Sequence, residues 1–110
     1  MATAYKILGQ SAPSATTETD LYTVPAATEA VISSLIVCNR SASDATYRIS
    51  VAADGAVTAN AQYLAYDVTV GASDSTTLTL GITINATDVV RVYASTADLT
   101  FSAFGSEITA

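Results

Sequence analysis

The chain has 110 residues and a formal net charge of −6, with charged residues making up 13% and hydrophobic residues 50%. Low charge with this much apolar content excludes a disordered chain, and 110 residues suffice for one domain with its own core. The only cations, Lys6, Arg40, Arg48 and Arg91, are scattered rather than clustered, which argues against nucleic acid and against an anionic membrane surface as partners.

Along the chain, short segments of extended character alternate with turn chemistry. Ala4 to Gly9 reads as a first strand, and Gln10 to Glu18, with Pro13 and many Ser, Ala and Thr, reads as a loop or extended arm. Residues 1–18 are thus expected to form an N-terminal strand and arm, and 19–110 the domain proper. Thr19 to Val24 alternates, with Leu21 and Thr23 on one side and Tyr22 and Val24 on the other, until Pro25 stops it.

Glu29 to Asn39 is the longest apolar run. In a regular strand Val31, Leu35 and Val37 point one way, and Ile32, Ile36 and Cys38 the other. A strand apolar on both faces must be covered on both, by a loop, a terminus or another subunit. Arg40 to Asp44 is a turn. Ala45 to Ala53 follows, with Tyr47, Ile49 and Val51 expected inside. Asp54-Gly55 opens a loop to about Asn60, too long for a two-residue hairpin. Gln62 to Val70 sets Leu64, Tyr66, Val68 and Val70 on one expected core face.

After a turn at Gly71 to Ser75, Thr76 to Ile84 has the cleanest period of two. Its Gly81 lies on the polar face, as at a kink or a close backbone approach. Asn85 to Asp88 is a turn. Val89 to Ser95 is a second strand apolar on both faces, and Thr96 to Asp98 turn the chain again. Leu99 to Phe104 is the last strand, ended by Gly105, with Ser106 to Ala110 as a tail. Eight short strands at such spacing, and no helical stripe, predict an all-β antiparallel sandwich of about eight strands without substantial helix. A jelly roll suits that count, while an immunoglobulin-like or meander order stays open.

Little in the chain suits catalysis. There is no His, and Lys6 is the only Lys, near one end. Asp44, Asp54, Asp74, Asp88 and Asp98 fall in turns, where acidic residues first of all shape the turn. Asp67 alone falls inside a strand. No calcium-loop spacing occurs and zinc has no ligand set, so no metal and no cofactor is expected. Cys38 cannot form an intrachain disulfide and reads as a small buried hydrophobe. Asn39-Arg40-Ser41 and Asn85-Ala86-Thr87 match the glycosylation pattern. The first residues, MATAYKILG, lack the long apolar segment of a signal peptide, and no run is long enough to span a bilayer. Synthesis in a cytoplasm is the expectation.

Of six tyrosines, Tyr47 and Tyr66 fall on expected core faces. Tyr63 and Tyr93 fall on the opposite faces, where Tyr serves as an interface anchor or a sugar platform. Surface contacts are also expected at the two-faced strands, so the interface candidates are Val31, Ile32, Leu35, Ile36, Tyr63, Val89 and Tyr93.

The stretch Leu21-Tyr22-Thr23-Val24-Pro25-Ala26, running on into Val31 through Arg40, together with Val90-Arg91-Val92-Tyr93-Ala94 and Phe104-Gly105-Ser106-Glu107, resembles small β-rich structural proteins of tailed bacteriophage virions. The resemblance implies a non-enzymatic virion component. Its expected role is a capsid decoration or cement protein, a homotrimer bound to the major capsid protein or another virion protein. The alternative is a tail or fibre module that binds host-surface glycan through Tyr63, Tyr93 and loop carboxylates such as Asp54. The resemblance carries no catalytic residues.

Overall fold

The computed structural model describes residues 2–109; Met1 and Ala110, the outer ends of the expected arm and tail, lie outside the described residues. Eight strands form: β1 Ala2–Ser11, β2 Thr19–Thr23, β3 Thr28–Asn39, β4 Ala45–Ala52, β5 Tyr63–Val70, β6 Ser75–Ile84, β7 Val89–Ala94 and β8 Leu99–Thr109. Two short 3-10 turns, Ala53–Gly55 and Asn60–Gln62, lie between β4 and β5. One sheet, A, has the order β1-β8-β3-β6, and the other, B, the order β2-β7-β4-β5; all pairs are antiparallel. β1 pairs with β8, β2 with β7, β3 with β6 and β4 with β5, as nested pairs that alternate between the sheets. This is the jelly roll, which decides among the three orders the sequence left open.

The inner faces meet in one core. Ile32, Leu35, Val37, Tyr47, Ile49, Val90, Val92, Leu99 and Phe101 are almost wholly buried. The Tyr47 and Phe101 rings meet edge to face at 6.3 Å between centroids. Among the described residues, no buried side-chain nitrogen or oxygen lacks a hydrogen-bond partner.

β-bulges in β2, β3 and β5 correct the strict alternation read from the sequence. In β3 the register shifts between Ile32 and Ser34 against both neighbours: Ser33 is the extra residue against β8, whereas against β6 it stands opposite two residues, Leu80 and Gly81. Ile32 and Leu35 therefore face the core together, and Val31 shares the outer face with Ile36 and Cys38. In β2 the shift at Leu21 buries both Leu21 and Tyr22. In β5 the register breaks twice against β4, and Asp67 takes a left-handed φ of 53°. Consequently Tyr66, expected in the core, is exposed, and so are Leu64 and Val68; only Val70 of that row is buried.

Two other expectations change. β8 runs through Gly105 to Thr109, because Gly105 lies where β8 crosses the β3 bulge; a Cβ there would sit 1.9 Å from the Val31 carbonyl oxygen. Gly81, by contrast, has open space where its Cβ would be, so it marks no close approach.

Residues 2–18 lie against this same subunit. β1 is an edge strand paired along its length with β8, and the Thr16 N–H donates to the Ala94 carbonyl at 2.8 Å. Pro13 is buried.

Candidate interaction surfaces

The two outer faces differ in chemistry. On the outer face of sheet A, β1 contributes Tyr5 and Ile7, and β8 contributes Thr100, Ser102, Phe104, Ser106 and Ile108. β3 adds Val31, Ser34, Ile36 and Cys38, and β6 adds Thr77, Thr79 and Thr83. Among the described residues, Glu29 at the margin is the only charged side chain on this face. At its centre is a groove of about 540 Å³ lined by Tyr5, Ile7, Val31 and Phe104 together with Lys6, Ser33, Gly105 and Ser106. Tyr5 is 87% exposed and Ile7 54%. Lys6 points the other way, to the inner side, where its ammonium lies 2.6 Å from Glu107. The Tyr22 hydroxyl donates to the same carboxylate. Lys6 first, then Tyr22, holds the Glu107 carboxyl below its ordinary value. Burial, then the neighbouring Glu107, pushes the Tyr22 phenol well above its own.

The outer face of sheet B is polar and partly covered. Arg91 reaches over it and pins the β4–β5 loop, donating to the Ala56 carbonyl at 2.6 Å, to the Gly55 carbonyl at 3.1 Å and to the Thr58 hydroxyl at 3.1 Å. Its remaining contact is an ion pair with Asp20 at 3.2 Å. The loop end lies against β7, and Val89 is buried there. The second face of β7 is therefore covered by a loop, one of the three covers that its sequence allowed.

Beside this loop the Arg48 guanidinium lies between two rings, 4.2 Å from the Tyr66 centroid and 4.4 Å from the Tyr93 centroid. Asp67 holds it in place, accepting from Nε at 2.7 Å and from Nη2 at 3.3 Å. The same contact keeps the Asp67 carboxyl below its ordinary value and raises the guanidinium further. Tyr63 meets Tyr66 edge to face at 4.9 Å.

The interface candidates thus divide. Ile32, Leu35 and Val89 spend their apolar surface inside the subunit. Val31 and Ile36 are half-buried on the outer face of sheet A, and Tyr63 and Tyr93 lie on the outer face of sheet B. Alternation alone missed Tyr5, Ile7 and Tyr66, because exposure there follows from an edge position or a bulge.

Asp54 stands apart from the tyrosines. Its carboxylate accepts from the Thr87 hydroxyl, and its N–H donates to Asp88 at 3.0 Å. Asp44, Asp74 and Asp88 likewise accept backbone N–H bonds in turns. Among the described residues no three potential ligands gather as a metal site, and no helix is long and apolar enough to cross a membrane. Asn39 is buried, its amide spent on the Ser43, Val70 and Gly71 carbonyls and on Ser41, which leaves no room for a glycan on it.

No protein-family model and no curated protein matches the chain. Its fold is similar to that of a chain in the T13 particle of infectious bursal disease virus, with a TM-score of 0.58 and 12% identity over 96% of this chain. The Gt strain of that virus gives a TM-score of 0.53 and 11% identity over 96%. A pentameric capsid protein from metagenomic phage sequences gives a TM-score of 0.45 and 19% identity, over 94% of this chain and 61% of that one. The chain spans 30% of the length of each of the two bursal disease virus chains. What it shares with the two bursal disease virus chains is the fold alone.

Proposed function

We propose that the protein is a non-enzymatic structural component of a virion, and within that class a decoration or cement protein that stabilises the shell of a tailed phage. The observation that carries this reading is the outer face of sheet A, which bears no charge except Glu29 at its margin. A chain of net charge −6 meets a neighbour with least Coulomb cost where its surface bears no charge. That face offers Tyr5, Ile7, Val31, Ile36 and Phe104 among Ser and Thr hydroxyls, a composition suited to a partner with a similar surface. Edge strand β1, the main part of residues 1–18, borders it. Self-association, as a homotrimer, and contact with the major capsid protein would use this surface. Several such contacts at once make weak ones strong in aggregate. The likeness to virus-particle chains, the phage-like texture of the sequence and the absence of His support the same reading.

The test is binding to mature phage shells that lack the protein. The wild type is expected to saturate symmetry-related sites, and Ile36→Asp to weaken binding at least about tenfold by placing a charge in the contact. Light scattering is expected to give three times the 11.2 kDa chain mass. Wild-type binding to no mature shell overturns the proposal.

A further inference from the structure

We propose that the outer face of sheet B holds a shallow binding site for an uncharged pyranose sugar, formed by Tyr63, Tyr66 and Asn60. The inference goes beyond the adhesive role and uses the opposite side of the molecule. Tyr63 and Tyr66 stand nearly perpendicular, 83° between ring planes, and with Asn60 they line a hollow of about 280 Å³. That volume falls just below the range of drug-sized ligand sites, which starts at roughly 300 Å³, and leaves room for a single sugar ring.

The chemistry matches on both sides. A pyranose presents an apolar C–H face and a rim of hydroxyls. The C–H face meets the electron-rich face of an aromatic ring, and the hydroxyls need donors and acceptors set beside it. Arg48 stacks on Tyr66, yet the residue remains 56% exposed. Asn60 is exposed and supplies an amide with both a donor and an acceptor. Its short turn is fixed by Gln62, whose side chain accepts from the Ala59 N–H at 3.2 Å and donates to the Val57 carbonyl at 3.1 Å.

The backbone is shaped to present this corner. Two register breaks fall within β5, and Asp67 adopts a left-handed conformation that a non-glycine residue enters only at a cost. The result turns Tyr66 out of the core and locks it over Arg48. Because Arg48 and Asp67 neutralise each other, the patch offers a ligand no net charge. The chain's −6 also repels anions, so the site selects neutral sugars over sialylated or sulfated ones.

The experiment titrates the full chain, labelled for amide NMR, with neutral glucose, galactose, mannose and N-acetylglucosamine oligosaccharides, and with sialylated and sulfated ones. At least one neutral sugar is expected to shift the Asn60, Tyr63 and Tyr66 signals with a dissociation constant of about 1 mM. Tyr66→Ala and Asn60→Ala are each expected to weaken binding at least about fivefold, while Thr83→Ala on the opposite sheet leaves it unchanged. Both target side chains lie at the surface, and an unchanged thermal midpoint confirms that the variants fold. The proposal is overturned by no shift at about 10 mM of any neutral sugar, by shifts confined to another surface, by undiminished binding to Tyr66→Ala, or by preference for the anionic sugars. Shell binding is read separately, so either result can fail alone.

Discussion

Replacing Gly105 with alanine tests the account of how β8 passes the β3 bulge. An alanine Cβ would lie 1.9 Å from the Val31 carbonyl oxygen, 2.9 Å from the Val31 carbonyl carbon and 3.0 Å from the Ile32 Cα. These are backbone atoms in the middle of a sheet, so no side chain can swing aside. Restoring an ordinary contact requires β3 and β8 to part by about 1.5 Å, which strains the ladder on both sides and loosens Ile32 and Ala103 beneath it. Overpacking together with one or two weakened ladder hydrogen bonds should cost about 2–4 kcal/mol. For a domain of this size that lowers the thermal midpoint by roughly 10 °C or more. Gly81→Ala is the control, since nothing lies within 4 Å of its would-be Cβ, and a change within about 0.5 kcal/mol is expected. Urea unfolding followed by tyrosine fluorescence and circular dichroism measures both. A Gly105→Ala variant as stable as Gly81→Ala would refute the reasoning, because the bulge would then have no need of glycine.

Asn39→Leu should destabilise by about 2–4 kcal/mol in the same urea assay, since the Ser43, Val70 and Gly71 carbonyls and the Ser41 N–H lose their partner together. Glu107 contributes through pH. Its folded-state carboxyl is depressed, so its stabilisation is present above the ordinary carboxylate range and is lost as pH falls through the folded value. Glu107→Gln is therefore expected to cost about 1–2 kcal/mol at neutral pH, with the gap to the wild type closing over roughly pH 5 to 3. A gap independent of pH would assign the loss to packing. In an NMR pH titration the Asp67 carboxyl should titrate below ordinary aspartates, and Arg48→Gln should return it to their range. An unmoved titration would show that the two side chains do not meet in solution.

Much of the fold was legible because side-chain direction along a strand is a local property. Alternation located all eight strands, and Ala45 to Ala53 and Thr76 to Ile84 differ from β4 and β6 by a residue at one end. Turn residues placed the breaks at Pro25, Asp54-Gly55 and Gly71. The surface patterns were less legible. Leu64, Tyr66 and Val68 carry the signature of a core row, and only the bulges against β4 expose them.

The amino-acid order alone settled that this chain is a sandwich of extended segments without a histidine-based site, since period, turn chemistry and composition are read one residue at a time. The tertiary structure alone decided the jelly-roll order, the bulges at Leu21, Ser33 and Asp67, and therefore which rows face out. A bulge is a mismatch between two strands distant in sequence, and one extra residue reverses the face of everything beyond it. Which side chains were free to meet a partner was for that reason fixed by strand pairing.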